Sequence, residues 1–420
     1  MVNLKEYLCD LSRLAVFDGA IGTELARRKG NWVGQFGEQL NLQDPDAVKA
    51  IHRSYLRGGA DFLTTNTFSA NGIQLAKDGL GDEVESLNRT GAELAREAAS
   101  DKPGVLVAGS IGPTGQGIVP VGSLTVKDAY EAFLQQAKAL HRGGVDLLVI
   151  ETMGSIQEAK AAAYAAREVG LEFIPSMSFS AGGTTHYGTS PSVMAVTFAA
   201  LGAGAISANC GSGPEPYLNV VEEYRSHVSE PIMIEPNAGD PLPGGDHPTY
   251  DLNPERFLDI LSPTLSKLSL LGSCCGSTPD FTKAIASISD RYPGYQGPTT
   301  SETEKLLGFR DQIYSTDRHF VPVEPDQLLK NFPTQAQGYS DVPLLDLRSS
   351  SEPAGGWEKK ISTLVLRFRA NLPLGFYLGD SDLLALCLKL YPGFPPVKYE
   401  GPTEEAEEAC SRYGGFLLPS

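Results

Sequence analysis

Between residues 14 and 275 the chain repeats one unit, a short run of Val, Ile, Leu and Phe followed by a longer amphipathic segment. Eight such runs occur: LAVF (14–17), DFLTTN (61–66), VLVAGSIG (105–112), VDLLVIET (145–152), FIPSMSF (173–179), GAISANC (204–210), PIMIEP (231–236) and LSLLGSC (268–274). Runs that are apolar almost throughout mark strands buried on both faces, which a parallel sheet covered by helices provides. Eight of them separated by helical segments predict a closed (β/α)8 barrel of the TIM type rather than an open sheet. RGGADFLTTNT (57–67) and RGGVDLLVIET (142–152) are an internal near-repeat. Each reads as helix end, glycine cap, strand and polar strand end.

A barrel of about 250 residues leaves part of the chain over. The composition changes at RYPGYQGPTTSETEK (291–305), whose Pro, Gly, Ser and Thr read as a surface connection. The expected division is therefore a barrel over 1–296, a connecting segment over 297–355 and a small α/β unit over 356–420. In that last unit ISTLVLRFR, GFYLGD, SDLLALCLKLY, EEAEEACSRYG and GFLLP read as strand, strand, helix, helix and strand. A formal charge of −17 and the lack of any Lys/Arg cluster argue against a nucleic-acid partner. No apolar stretch reaches the roughly 18 residues of a membrane span, and the N-terminal segment carries acidic residues, so a cytoplasmic location is expected. Six irregularly spaced cysteines do not form a disulfide framework, and in a reducing compartment clustered cysteines are metal-binding or catalytic.

In such a barrel the chemistry lies at the C-terminal ends of the strands. The polar residues ending the runs are Asp18, Asn66, Ser110, Glu151, Cys210, Asn237, Cys274 and Cys275. Three thiolates from the sixth and eighth strands, with a fourth position open, describe a catalytic zinc site. Cys274 and Cys275 are adjacent and can share one ion only where the backbone leaves strand geometry. The alternative is a pair of small buried hydrophobes. A zinc ion held by three thiolates is a weak Lewis acid suited to binding a substrate thiol as thiolate, which points to alkyl transfer onto sulfur. Asp18 and Glu151 would hold an ammonium, and backbone N–H groups beside Gly19 and Gly112 a carboxylate. Asp18 reads equally as a helix N-cap, Glu151 as half of a structural salt bridge, and Asn66 and Asn237 as residues satisfying turn backbone.

The segments FDGAIGTEL, GADFLTTNTF, AGSIGPTG, DLLVIETM, ANCGSGPE, EPNAGDP and GSCCGSTPDF, in this order over about residues 10–290, resemble the homocysteine S-methyltransferases. That family includes betaine–homocysteine methyltransferase and the homocysteine-binding module of cobalamin-dependent methionine synthase. The resemblance implies that Cys210, Cys274 and Cys275 bind Zn2+ and that L-homocysteine thiolate takes the open position. It also implies that Asp18 and Glu151 contact the amino group, with Gly19, Asn66 and Ser110 in the substrate-binding set. PNAG is similar to methionine synthase and makes Asn237 the candidate exchangeable fourth ligand. Where the betaine enzymes carry a tyrosine after the fourth-strand Glu, this chain has Thr152 and Met153, which counts against betaine as donor.

The C-terminal part departs from the family. It has no Asp-x-His-x-x-Gly cobalt-ligating motif, and SDLLALCLKLYPGFPP with TEEAEEACSRYGGFLLP resembles a reduced fragment of a pterin barrel. The expected methyl donor is accordingly a methylated corrinoid protein supplied in trans. S-methylmethionine or another small donor, and another thiol acceptor, are the enzymatic alternatives; a docking subunit with an inert zinc site is the non-enzymatic one. The Gly/Pro-rich loops 113–123, 180–191 and 238–250 form a candidate rim for the donor or ordinary surface loops. His186 and His247 within them are given no role.

Overall fold

The computed structural model describes residues 2–29, 37–119, 121–242, 249–297, 306–309, 312–315, 320–323, 342–348, 357, 360–361 and 374–418. Each of the eight apolar runs contains a strand: β1 Ala15–Val16, β2 Phe62–Thr64, β3 Leu106–Ile111, β4 Leu147–Met153, β5 Glu172–Met177, β6 Ile206–Cys210, β7 Ile232–Pro236 and β8 Leu270–Leu271. They hydrogen-bond in the order β1-β8-β7-β6-β5-β4-β3-β2, every pair parallel. The β1/β2 seam is closed in part by side chains. Asp61 N–H donates to Val16 O at 2.8 Å, and the Asp61 carboxylate accepts from Val16 N–H at 3.0 Å. Arg13 holds that carboxylate through two 2.9 Å bonds.

The intervening helices start on residues that satisfy their first free N–H groups. Ser155 caps the Ile156–Glu168 helix, Ser190 the Pro191–Ala200 helix, and Thr125 with Asp128 makes a capping box on Val126–Arg142. An N-terminal helix, Leu4–Leu11, buries Leu4 and Leu8 in the cluster of Phe17, Phe62, Leu106, Leu147, Met233 and Leu270. This packing fills the lower half of the barrel, with the Phe17 and Phe62 rings stacked at 4.6 Å. The polar side chains that line the cavity lie in the upper half, at the strand C-termini. No helix among the described residues is long and apolar enough to cross a membrane.

The C-terminal part holds two further sheets. Gln312–Ser315, Leu306–Phe309 and Gly393–Phe394 form an antiparallel one. Phe320–Val323, Val342–Asp346, Gly375–Leu378, Pro396–Tyr399 and Phe416–Leu417 form a parallel one in chain order. The segment 297–355, read from the sequence as a connection, thus contributes four strands to the same sheets as the residues after it. Those strands are short and interrupted by Pro, Gly and charge, which removes the periodicity that would mark them. Ser381–Leu390 and Thr403–Tyr413 are helices as expected. Of the strand expected over 361–369, Ile361 is helical and the rest lies outside the described residues.

The small unit is seated on the barrel wall. The Ile156–Glu168 helix presents Gln157, Lys160, Tyr164 and Arg167 to backbone carbonyls of the unit. Lys160 is fully buried, and its Nζ donates to Leu388 O at 2.8 Å, Tyr391 O at 3.1 Å and Gly393 O at 3.2 Å. Burial pushes this ammonium down to about 7. Three acceptors need three donors, and their place at a helix C-terminus favours the charged form. The neighbouring Pro191–Ala200 helix is buried from Pro191 to Phe198 because the small unit covers its outer side.

Candidate functional site

The two adjacent cysteines follow a strand that stops early. β8 ends at Leu271, and the chain then turns, with Ser277 N–H donating to Cys274 O at 3.1 Å and Gly276 at φ 81°. A left-handed residue here must be glycine, since a Cβ on Gly276 would also strike the Tyr250 ring. Both thiols therefore leave strand alternation and face one point. Cys210, ending β6, has φ 65°, and Tyr217 Oη donates to its carbonyl at 2.6 Å. A non-glycine residue in this region costs about 1–2 kcal/mol, so tertiary contacts hold the thiol in that pose. Thr152, at φ 58° after Glu151, is held likewise.

The Cys210 and Cys275 sulfurs lie 3.9 Å apart, and all three sulfurs lie within 4.8 Å of one another. A tetrahedral ion with metal–sulfur bonds of about 2.3 Å needs sulfurs about 3.8 Å apart, so the trio could hold a metal ion. Cys210 is held well below the usual thiol range by hydrogen bonds from Cys274 and Cys275, the Gly211 N–H and Asn237. Its partners are pushed up correspondingly. Asn237 donates to Gly211 O at 2.5 Å while its Oδ1 is buried without a partner. An orphan oxygen beside three thiols suits a fourth ligand.

The sulfurs border a cavity of about 960 Å3 whose lining includes Asp18, Gly19, Asn66, Ser110, Glu151 and Glu235. Asp18 does not cap a helix. Its two oxygens accept from Thr64 N–H at 2.8 Å and Thr64 Oγ1 at 2.7 Å, which also completes the β1/β2 seam. Glu151 makes no salt bridge with any described residue; it accepts from Ser110 Oγ at 2.5 Å and Asn209 Nδ2 at 3.3 Å. Burial raises both carboxyls to about 7. Gly19 is a packing requirement, since a Cβ there would lie 2.8 Å from Ser277 Oγ. The Asn66 amide nitrogen is spent on Gly37 O and Asn41 Oδ1, and the Gly112 N–H on Phe68 O. Gly112 is therefore not available to a substrate carboxylate.

Four contributors escaped the sequence reading: Thr64, Asn209, Glu235 and Tyr250. Asn209 donates to Glu151 and to Thr152 Oγ1 at 2.8 Å and approaches Cys274 Sγ at 3.9 Å, while its Oδ1 accepts from Thr152 N–H and Ser176. It ties the carboxylate to the thiols. Glu235 had a visible signal, a charge inside the apolar run PIMIEP. His247 and residues 243–248 of the third candidate rim loop lie outside the described residues.

Residues 15–289 match the family model described as homocysteine S-methyltransferase. The methionine synthase of Mycobacterium leprae (strain TN) is 30% identical over 311 residues, covering 69% of this chain and 26% of that protein. That of Mycobacterium tuberculosis (strain ATCC 25618 / H37Rv) is 29% identical over 292 residues, covering 66% and 24%. The chain thus spans about a quarter of the length of these curated relatives. Among solved structures, the metallated form of the homocysteine methyltransferase MmuM from Escherichia coli superposes with a TM-score of 0.58 at 23% identity, covering 68% of this chain and 99% of that one. This likeness establishes the barrel fold.

Proposed function

The chain belongs to the homocysteine S-methyltransferase family, and from that premise we propose that it methylates the thiol of L-homocysteine to give methionine, with Zn2+ on Cys210, Cys274 and Cys275. The observation that carries this is the convergence of three sulfurs within 4.8 Å beside a cavity lined by buried carboxylates. Bound zinc supplies the charge that keeps a substrate thiol deprotonated yet nucleophilic. Asn237 Oδ1 is the proposed fourth donor before substrate arrives.

The protein's own groups then bind and orient. Asp18 and Glu151 accept the substrate's ammonium, whose charge favours the ionised form of carboxyls that burial raises to about 7. Ser110 and Asn209 fix the Glu151 oxygens, so the amino end and the sulfur are held at a set separation. Orienting the sulfur for in-line attack on a methyl carbon is the main catalytic service such a site provides.

The proposed donor is a methylated corrinoid protein acting in trans. Among the described residues the exposed large apolar side chains are Leu42, Val121 and Tyr187, all in segments that follow barrel strands. Zinc analysis with calorimetric titration of L-homocysteine, on wild type and Cys275→Ser, tests the site. One zinc per chain with homocysteine binding, both lost in the variant, is expected. Methyl transfer from a methylcorrinoid protein compared with S-methylmethionine then decides the donor.

A further inference from the structure

We infer that Glu235 is the principal acceptor for the ligand's ammonium and so imposes the requirement for an α-amino thiol. This deepens the homocysteine reading and rests on it. Glu235 is paired in register with Asn209 across β6 and β7. Cross-strand partners point to the same face, and Asn209 faces the barrel interior through Glu151 and Cys274. Glu235 lines the same cavity and is only 7% exposed.

The three carboxylates of this cavity differ in what they already hold. Both oxygens of Asp18 accept from Thr64, and both oxygens of Glu151 accept from Ser110 and Asn209. The Glu235 carboxylate has no hydrogen bond or ion pair with any described residue. A carboxylate so buried is costly unless a donor reaches it, and the nearby charges of Glu151 and Asp18 add to the cost. The cations on the cavity wall are occupied elsewhere: Arg27 on Glu24, and Lys77 on Gln74 and Thr114 O. Three acids thus come together, and among the described residues no cation is supplied to them. A primary ammonium carries three N–H donors and fits that arrangement.

The backbone also makes room for this side chain. A Cβ on Gly272 would lie 2.9 Å from Glu235 Oε1 and 2.8 Å from Phe17 Cβ, so glycine keeps the carboxylate where it stands.

The test is calorimetry on zinc-loaded protein with L-homocysteine and with 4-mercaptobutanoate, the same thiol acid without its amino group. Glu235→Gln should weaken homocysteine binding by on the order of tenfold or more, the loss expected for one hydrogen bond to a charged group. Its affinity for 4-mercaptobutanoate, its zinc content and its thermal midpoint should stay at wild-type values or, for the midpoint, rise. Glu235→Asp, which keeps the charge, should recover part of the homocysteine affinity, and it decides the matter if the Gln variant does not fold. Equal weakening for both thiols, no weakening for either, or loss of zinc overturns the inference. Wild-type protein that binds zinc but no homocysteine would overturn the homocysteine reading itself.

Discussion

The barrel and the small C-terminal unit both contain parallel strands laid down in chain order, yet they treat their strand ends in opposite ways. At the C-terminal ends in the small unit, Arg348 binds Asp346 at 2.7 and 3.0 Å and Glu400 at 2.8 Å. Its guanidinium also lies 3.9 Å from the Tyr377 ring centroid, and Tyr377 donates to Glu400. The charges of Arg348, Asp346 and Glu400 are thus answered by one another. At the corresponding ends in the barrel, Asp18, Glu151 and Glu235 line one cavity with three thiols, and no cation among the described residues pairs with them. Strand ends become a site when folding leaves charges that only a ligand can answer. The same position in the small unit is structural because its charges are closed among themselves.

The contrast can be broken or sharpened by experiment. Cys275→Ser should have the largest effect, abolishing zinc retention and lowering methyl transfer by more than the roughly 100-fold that loss of an outer-shell partner costs, as metal analysis and turnover would record. Lys160→Met tests the seam between the two regions. It leaves three buried carbonyls without a donor and should cost about 2–4 kcal/mol of stability, seen as a lower denaturation midpoint with zinc content retained.

The pH dependence of binding tests the barrel's open charges. Asp18 and Glu151 are raised to about 7, so below that they are protonated in the free protein and must lose protons to accept an ammonium. Homocysteine affinity relative to that of 4-mercaptobutanoate should therefore fall as pH drops through about 7, and level above it. A ratio independent of pH would remove these carboxylates from ammonium recognition. The smallest effect belongs to the small unit: Arg348→Ala should leave turnover unchanged and barely move the denaturation midpoint, as for an exposed ion-pair network. A fall in turnover there would mean that the small unit's strand ends also take part.

Much of this was legible in the chain. The eight apolar runs report burial on both faces, a property each run carries locally, and all eight became strands. The gathering of polar strand ends around one cavity was legible for the same reason, since a polar residue closing an apolar run marks the mouth of a barrel. Segments 306–309, 312–315, 320–323 and 342–346 were not, because they are short and lack a period; 306–309 and 312–315 pair as a local hairpin, while 306–309, 320–323 and 342–346 also pair with strands further along the chain. Gly112 looked like an anion-binding backbone group until its N–H proved to be committed to Phe68.

Residue type and order alone determined the barrel, the three thiols and two of the acids, because burial pattern and ligand chemistry are written in the side chains themselves. Which acids remain unanswered was decided by the tertiary structure. Thr64 reaches Asp18 from β2, Ser110 and Asn209 reach Glu151 from β3 and β6, and no described residue reaches Glu235. Whether a buried charge is satisfied depends on which distant groups closure of the barrel brings within hydrogen-bond range, and no single stretch of sequence contains that distance.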